Sequence, residues 1–201
     1  MDKNHLAIYI ILFFANISKT TKAFFAYEEN PEQGKVACPA IKDIYPCTCK
    51  YDLEEDVLDL DCSNITNEED LFRIFYNEFH YTTFRRFEIY NNINLTRIPE
   101  GVFDKVTFEE IHIIASSITT LEPKAFINSA STLNILNLNT NSISYFPFEI
   151  LGFYESLEEL ILYNNFISKI PTIRIPLLRI LILDSNAISE IAYGFHFPHT
   201  Y

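Results

Sequence analysis

The segment LEELILYNN, residues 157–165, decides how the rest of the chain is read, because four other segments repeat its pattern. They are FRRFEIYNN at 84–92, FEEIHIIAS at 108–116, LNILNLNTN at 133–141 and LRILILDSN at 178–186. Apolar residues hold the first, fourth and sixth places of every block, and Asn holds the ninth in four of the five. The block starts lie 24, 25, 24 and 21 residues apart, a regular period of the kind that marks a stacked repeat architecture. Further apolar pairs keep the same beat: Leu95 and Ile98, Ile118 and Leu121, Ile143 and Phe146, Ile167 and Ile170, Ile188 and Ile191. Within each block the alternation predicts one short strand, with the fourth and sixth residues facing a core and the third, fifth and seventh facing solvent. A single repeat buries only about five apolar side chains against the ordering entropy of about 24 residues, so it cannot fold alone. Stacking gives each core two neighbours and leaves ends that must be covered.

The ninth residue sits where the chain turns away from the strand. An amide there both donates to and accepts from backbone groups that the turn leaves unpaired. Asn92, Asn141, Asn165 and Asn186 are therefore expected to stack as a ladder. Ser116 interrupts it, and its single hydroxyl donor predicts the softest junction of the stack at this turn. The outward positions form three columns. The third places are Arg86, Glu110, Ile135, Glu159 and Ile180; the fifth are Glu88, His112, Asn137, Ile161 and Ile182; the seventh are Tyr90, Ile114, Asn139, Tyr163 and Asp184. This mixture suits a protein or glycan better than a metal or phosphate. The partner-binding candidates are Arg86, Glu88, Tyr90, Glu110, His112, Asn137, Asn139, Glu159, Tyr163 and Asp184.

Composition narrows the function classes. The chain has 201 residues, 48% of them hydrophobic, and a net charge of −12, so a nucleic acid backbone would be repelled. With four Gly in all, it has no glycine-rich phosphate loop, and no cofactor is implied. Lys3 and His5 precede an apolar run from Leu6 to Ile17, shorter than the roughly 20 residues that span a bilayer. This predicts a signal peptide over 1–23, with cleavage after Ala23 or, less favoured, Ala26, and no membrane span thereafter. Residues 24–37 read as a flexible lead-in.

The four cysteines, Cys38, Cys47, Cys49 and Cys62, follow a leader into an oxidising compartment and are expected as disulfides. Their spacing leaves the pairing open, although Cys47 and Cys49 are too close to bridge easily. A zinc site lacks a second knuckle or nearby His ligands. Val57, Leu58, Leu60 and Cys62 alternate with Asp59 and Asp61 as a half-buried strand. Asn67 followed by Glu68, Glu69 and Asp70 starts a helix, with Leu71, Ile74, Phe75 and Phe79 on one face.

The run from Cys38 to Cys62 resembles the N-terminal cap of extracellular leucine-rich repeat proteins, and the five blocks match that family independently. CPAIKDIYPCTC at 38–49, LDLDCSNIT at 58–66 and LTRIPEGVFDKVTFEEIHI at 95–113 are similar, more narrowly, to the secreted arthropod oplophorus-luciferin 2-monooxygenase non-catalytic subunit-like proteins. The resemblance implies an α/β solenoid of leucine-rich repeats with short parallel strands on its concave side. It implies the pairings Cys38 with Cys49 and Cys47 with Cys62, and a binding or scaffolding role. The expected organisation is a disulfide cap and helix over 38–83, then five repeats at 84–107, 108–132, 133–156, 157–177 and 178–201. Family members continue further or end in a second cap, so this chain reads as truncated, with Phe195, Phe197 and Pro198-His199 as a makeshift cover otherwise.

Catalytic readings fare poorly. Glu110 and Glu159 would lie two strands apart, roughly 10 Å at about 4.8 Å per strand, whereas retaining glycosidases hold their carboxyls about 5 to 5.5 Å apart and inverting ones about 6.5 to 9.5 Å. His112 has no Ser or Cys partner, His196 and His199 flank a proline, and the acids from Asp52 to Asp61 lack a calcium-loop spacing. Sequons mark Asn64 and Asn94 for glycosylation; a third, at Asn16, falls within the leader. The reading is a secreted non-catalytic protein that recognises an extracellular protein or glycan through the concave face. Its alternatives are a fragment of a membrane-anchored receptor ectodomain and an extracellular hydrolase.

Overall fold

The computed structural model describes residues 38–192 except Glu78, His80, Tyr81, Arg174 and Pro176. The leader, the lead-in, the Phe195 to His199 cover and the His196/His199 pair lie outside the described residues.

The cap begins with a four-residue helix, α1 (Ile41–Ile44), which the sequence did not signal. A hairpin follows, β1 (Thr48–Asp52) and β2 (Val57–Asp61), antiparallel with Cys49 opposite Leu60. Disulfides join Cys38 to Cys49 and Cys47 to Cys62. Helix α2 (Glu68–Phe75) starts where its acids favour a start. The Asn67 side chain accepts from the Asp70 N–H at 3.0 Å, and the Asp70 carboxylate accepts from the Thr66 N–H at 2.7 Å and the Thr66 hydroxyl at 2.8 Å. The helix stops before Phe79, which the apolar pattern had placed on its face. Asn77 ends it by donating to the Arg73 carbonyl at 3.1 Å and, across to the cap, to the Asp43 carbonyl at 2.9 Å. Phe79 still packs its ring on Phe75 and Phe84, 5.9 and 6.1 Å away.

Beyond α2 come β3 (Thr83–Tyr90), β4 (Arg97–Ile98), β5 (Thr107–Ile114), β6 (Thr120–Leu121), β7 (Ile135–Asn137), β8 (Glu159–Ile161), β9 (Lys169–Ile170), β10 (Ile180–Ile182) and β11 (Glu190–Ile191). One seven-stranded sheet runs β1-β2-β3-β5-β7-β8-β10, parallel everywhere except at the cap hairpin. Its register joins like to like: Arg86 pairs with Glu110, Glu110 with Ile135, Ile135 with Glu159, and Glu159 with Ile180. The pairs β4/β6 and β9/β11 form two small parallel sheets from the second half of the period.

One face of the large sheet is buried. Phe84, Phe87, Ile89 and their counterparts at 108, 111, 113, 133, 136, 138, 157, 160 and 162 are at most 2% exposed. Phe75 from α2 and Phe103 complete an aromatic nest with Phe87 and Phe108, at centroid separations of 4.8 to 6.1 Å. The core thins at the far end. Leu181, Leu183 and Ile188 are only half-buried, since among the described residues no strand pairs beyond β10.

Each turn after a block uses one backbone device. The residue before the ninth place adopts positive φ: Asn91 at 54°, Ala115 at 51°, Thr140 at 53°, Asn164 at 54° and Ser185 at 57°. Asparagine tolerates this region; a β-branched threonine does so at a cost. The ninth residue then ties its turn to the preceding one. Asn141 donates to the Ile113 carbonyl at 2.7 Å and accepts from the Ile118 N–H at 3.2 Å. Asn165 does the same with Leu138 and Ile143, and Asn186 with Leu162 and Ile167. Asn92 reaches the cap, donating to the Ser63 and Ile65 carbonyls at 2.9 and 2.8 Å. Ser116 does not leave its turn unheld. Its Oγ accepts from the Asn92 N–H at 3.1 Å and donates to Ile114, while Asn141 bonds the same turn from the following block.

Candidate binding face

The other face of the sheet carries the third, fifth and seventh residues of each block, and its chemistry changes along the stack. At the cap end Arg85 grips Asp59 of β2 with its Nε at 2.8 Å and a second nitrogen on the other carboxylate oxygen, and also bonds Glu55. This bidentate pair ties the cap hairpin to β3. Arg86 donates from Nε to Glu110 Oε2 at 2.6 Å and lies 3.4 Å from Glu88 Oε1. The Tyr90 hydroxyl donates to Glu88 at 3.3 Å, and His112 Nε2 lies 3.1 Å from Glu110 Oε2. Five of the predicted binding residues are thus gathered into one network across β3 and β5.

In that network one arginine, Arg86, serves two carboxylates, Glu110 and Glu88. Burial pushes the Glu110 carboxyl up, but hydrogen bonds from Arg86 and His112 outweigh it and hold the pKa below the ordinary glutamate value. The Glu110 bond raises Arg86 above the usual arginine value despite partial burial. Burial, then the Glu88 carboxylate, raises the Tyr90 phenol. Glu110 is therefore held ionised, the opposite of what a general acid needs.

Past β5 the character differs. Glu159 lies directly between Ile135 and Ile180 in register, and Ile161 lies between Asn137 and Ile182. Asn137 is 9% exposed, less open than its outward place predicts, because His112 and Ile161 flank it on both sides. Its carboxamide oxygen accepts from the Asn139 N–H at 3.2 Å. Tyr163 and Ile180 are 43% and 40% exposed, and Asp184 is exposed. The isoleucines of the columns were not among the candidate residues, although their recurrence at outward strand positions in the last blocks was visible in the sequence.

Asn64 and Asn94 are both exposed, each beyond the end of a strand. Among the described residues no cysteine is free, no group of three or more His, Cys, Asp or Glu side chains could hold a metal, and no helix is long and apolar enough to cross a membrane.

No protein-family model matches the chain. The chain is 40% identical over 164 residues to the Oplophorus-luciferin 2-monooxygenase non-catalytic subunit of Oplophorus gracilirostris, a match covering 81% of this chain and 45% of the relative. The chain thus spans less than half the length of the curated relative it matches.

Proposed function

We propose that this chain is a secreted leucine-rich-repeat solenoid that binds or scaffolds an extracellular partner through the concave face of its sheet and performs no catalysis itself. The observation that carries the reading is the match at 40% identity to a protein named as a non-catalytic subunit. The parallel register of β3, β5, β7, β8 and β10, the two cap disulfides and the Asn bonds between successive turns support the solenoid. Disulfides belong to oxidising compartments, in keeping with a leader over 1–23 and with sugars on the exposed Asn64 and Asn94. The Arg86–Glu110–His112 network holds Glu110 ionised, which does not suit it to act as a general acid. As a subunit, the chain would stand beside a catalytic polypeptide, which it positions or stabilises.

Photo-crosslinking tests this. A benzoylphenylalanine introduced at Asn139 on the face, or at Asn94 outside it, is irradiated in the native secretion. The reading expects a discrete protein adduct from position 139 and none from 94. Adducts from 94 alone, or glycan turnover by the purified chain, contradict it.

A further inference from the structure

We infer that the binding face is not used uniformly: its contact site is the isoleucine strip of the last three blocks, and its occupant is a protein segment presenting a basic side chain between aliphatic ones. This rests on the concave-face reading above and narrows it.

The two halves of the face differ in what they leave unsatisfied. On β2, β3 and β5 the carboxylates already have partners, with Asp59 held by Arg85, Glu110 by Arg86 and His112, and Glu88 by Arg86 and Tyr90. A ligand docking there would have to break those bonds for each new one it made. On β7, β8 and β10 the face carries Ile135, Ile161, Ile180 and Ile182, with Tyr163 beside them. These are outward residues on one side of three adjacent strands, about 4.8 Å apart, so they form one apolar strip.

In the middle of that strip stands a single carboxylate. Glu159 has an isoleucine on each side in register, and among the described residues its carboxylate makes no ion pair and accepts no hydrogen bond. Apolar neighbours weaken screening around it, which favours a cation brought by a ligand. Asp184, exposed at the end of the seventh-place column, adds negative charge at the rim, and its carboxylate likewise has no partner among the described residues, although its carbonyl accepts from the Asn164 N–H. Arg179, the nearby cation on β10's approach, is turned to Glu158 at 3.2 Å. Charge complementarity thus selects arginine or lysine, and the surrounding isoleucines select aliphatic flanks. A glycan offers neither group.

The test is selection of a phage-displayed random dodecapeptide library on the full disulfide-bonded chain, followed by titration of the enriched peptides. Enriched peptides should carry Arg or Lys flanked by Leu, Ile, Val or Phe. Glu159→Gln should weaken them about tenfold, the loss of one charge-assisted bond, and Ile180→Glu should abolish binding. Glu88→Gln, in the matched network, should leave affinity within twofold. Melting curves check that each variant is folded. Peptides that respond to Glu88→Gln but not to Glu159→Gln overturn this inference and leave the concave-face reading standing. Peptides indifferent to every face substitution, or no enrichment on the folded chain, overturn the inference and weigh against that reading too.

Discussion

Replacing Asn141 by Ala removes the amide that spans two turns. In the native chain its Nδ2 donates to the Ile113, Leu138 and Asn139 carbonyls at 2.7, 3.0 and 3.2 Å, and its Oδ1 accepts from the Ile118 N–H at 3.2 Å. Leu138 O keeps a second donor, Asn165 Nδ2 at 2.9 Å, so it is not orphaned. The Ile113 carbonyl and the Ile118 N–H lose these bonds in a buried setting, and each unsatisfied group costs about 1 to 3 kcal/mol. Asn141→Ala should therefore destabilise by about 3 kcal/mol. Asn141→Asp should cost at least as much, since it keeps the shape but turns a carboxylate toward three carbonyls. Ser116→Ala, which gives up the bonds from the Asn92 N–H and to the Ile114 carbonyl, should cost about 1 kcal/mol, since that carbonyl keeps the Asn91 N–H. Urea unfolding of the disulfide-bonded chain, with the exposed Asn94→Ala as reference, reads these values. A cost for Asn141→Ala within about 0.5 kcal/mol of that reference, or an Asp variant milder than the Ala one, refutes the ladder as a structural tie.

Thr140 holds positive φ with a β-branched side chain, so Thr140→Asn should stabilise by about 0.5 to 1 kcal/mol, seen as a higher melting temperature. Removal of Cys47–Cys62, which closes a separation of 15 residues, should cost about 3 kcal/mol, measured by comparing melts of the Cys47→Ala/Cys62→Ala chain and the native one without reductant. Glu110 has a lowered pKa in the folded state, so its contribution is present above the unfolded value near 4.5 and lost as pH falls through the folded one. Glu110→Gln should accordingly flatten the fall in stability below about pH 4.5, followed by urea midpoints across pH.

The strands of the large sheet were legible because a period of two inside a period near 24 is written in side-chain type: Leu136 and Leu138 flank the polar Asn137 in the alternation of a strand. The start of α2 was legible at Asn67 for the same local reason, a cap followed by acids. Its end was not, because Phe79 continues the helical spacing while the stop depends on Asn77 reaching Asp43 across the cap. Positive φ at Ala115, Thr140 and Ser185 was hidden, since none of these types prefers it and the turn imposes it from the ladder. The disulfide pairing came with the family resemblance, as spacing alone left it open.

The face was legible as columns but not as chemistry. Sequence position placed Arg86 and Glu110 in one column; that they bond follows from the register of β3 on β5. The same register leaves Glu159 among isoleucines, a property of three strands together that no single block displays.

The central claim is that the five blocks lie side by side as parallel strands in like-to-like register. Interstrand NMR contacts in solution test it most directly. The account predicts backbone amide-to-α contacts linking Leu136 with Leu160 and Leu160 with Leu181. Medium-range helical contacts within 133–141 and 157–165, with no contact between those segments, would contradict it.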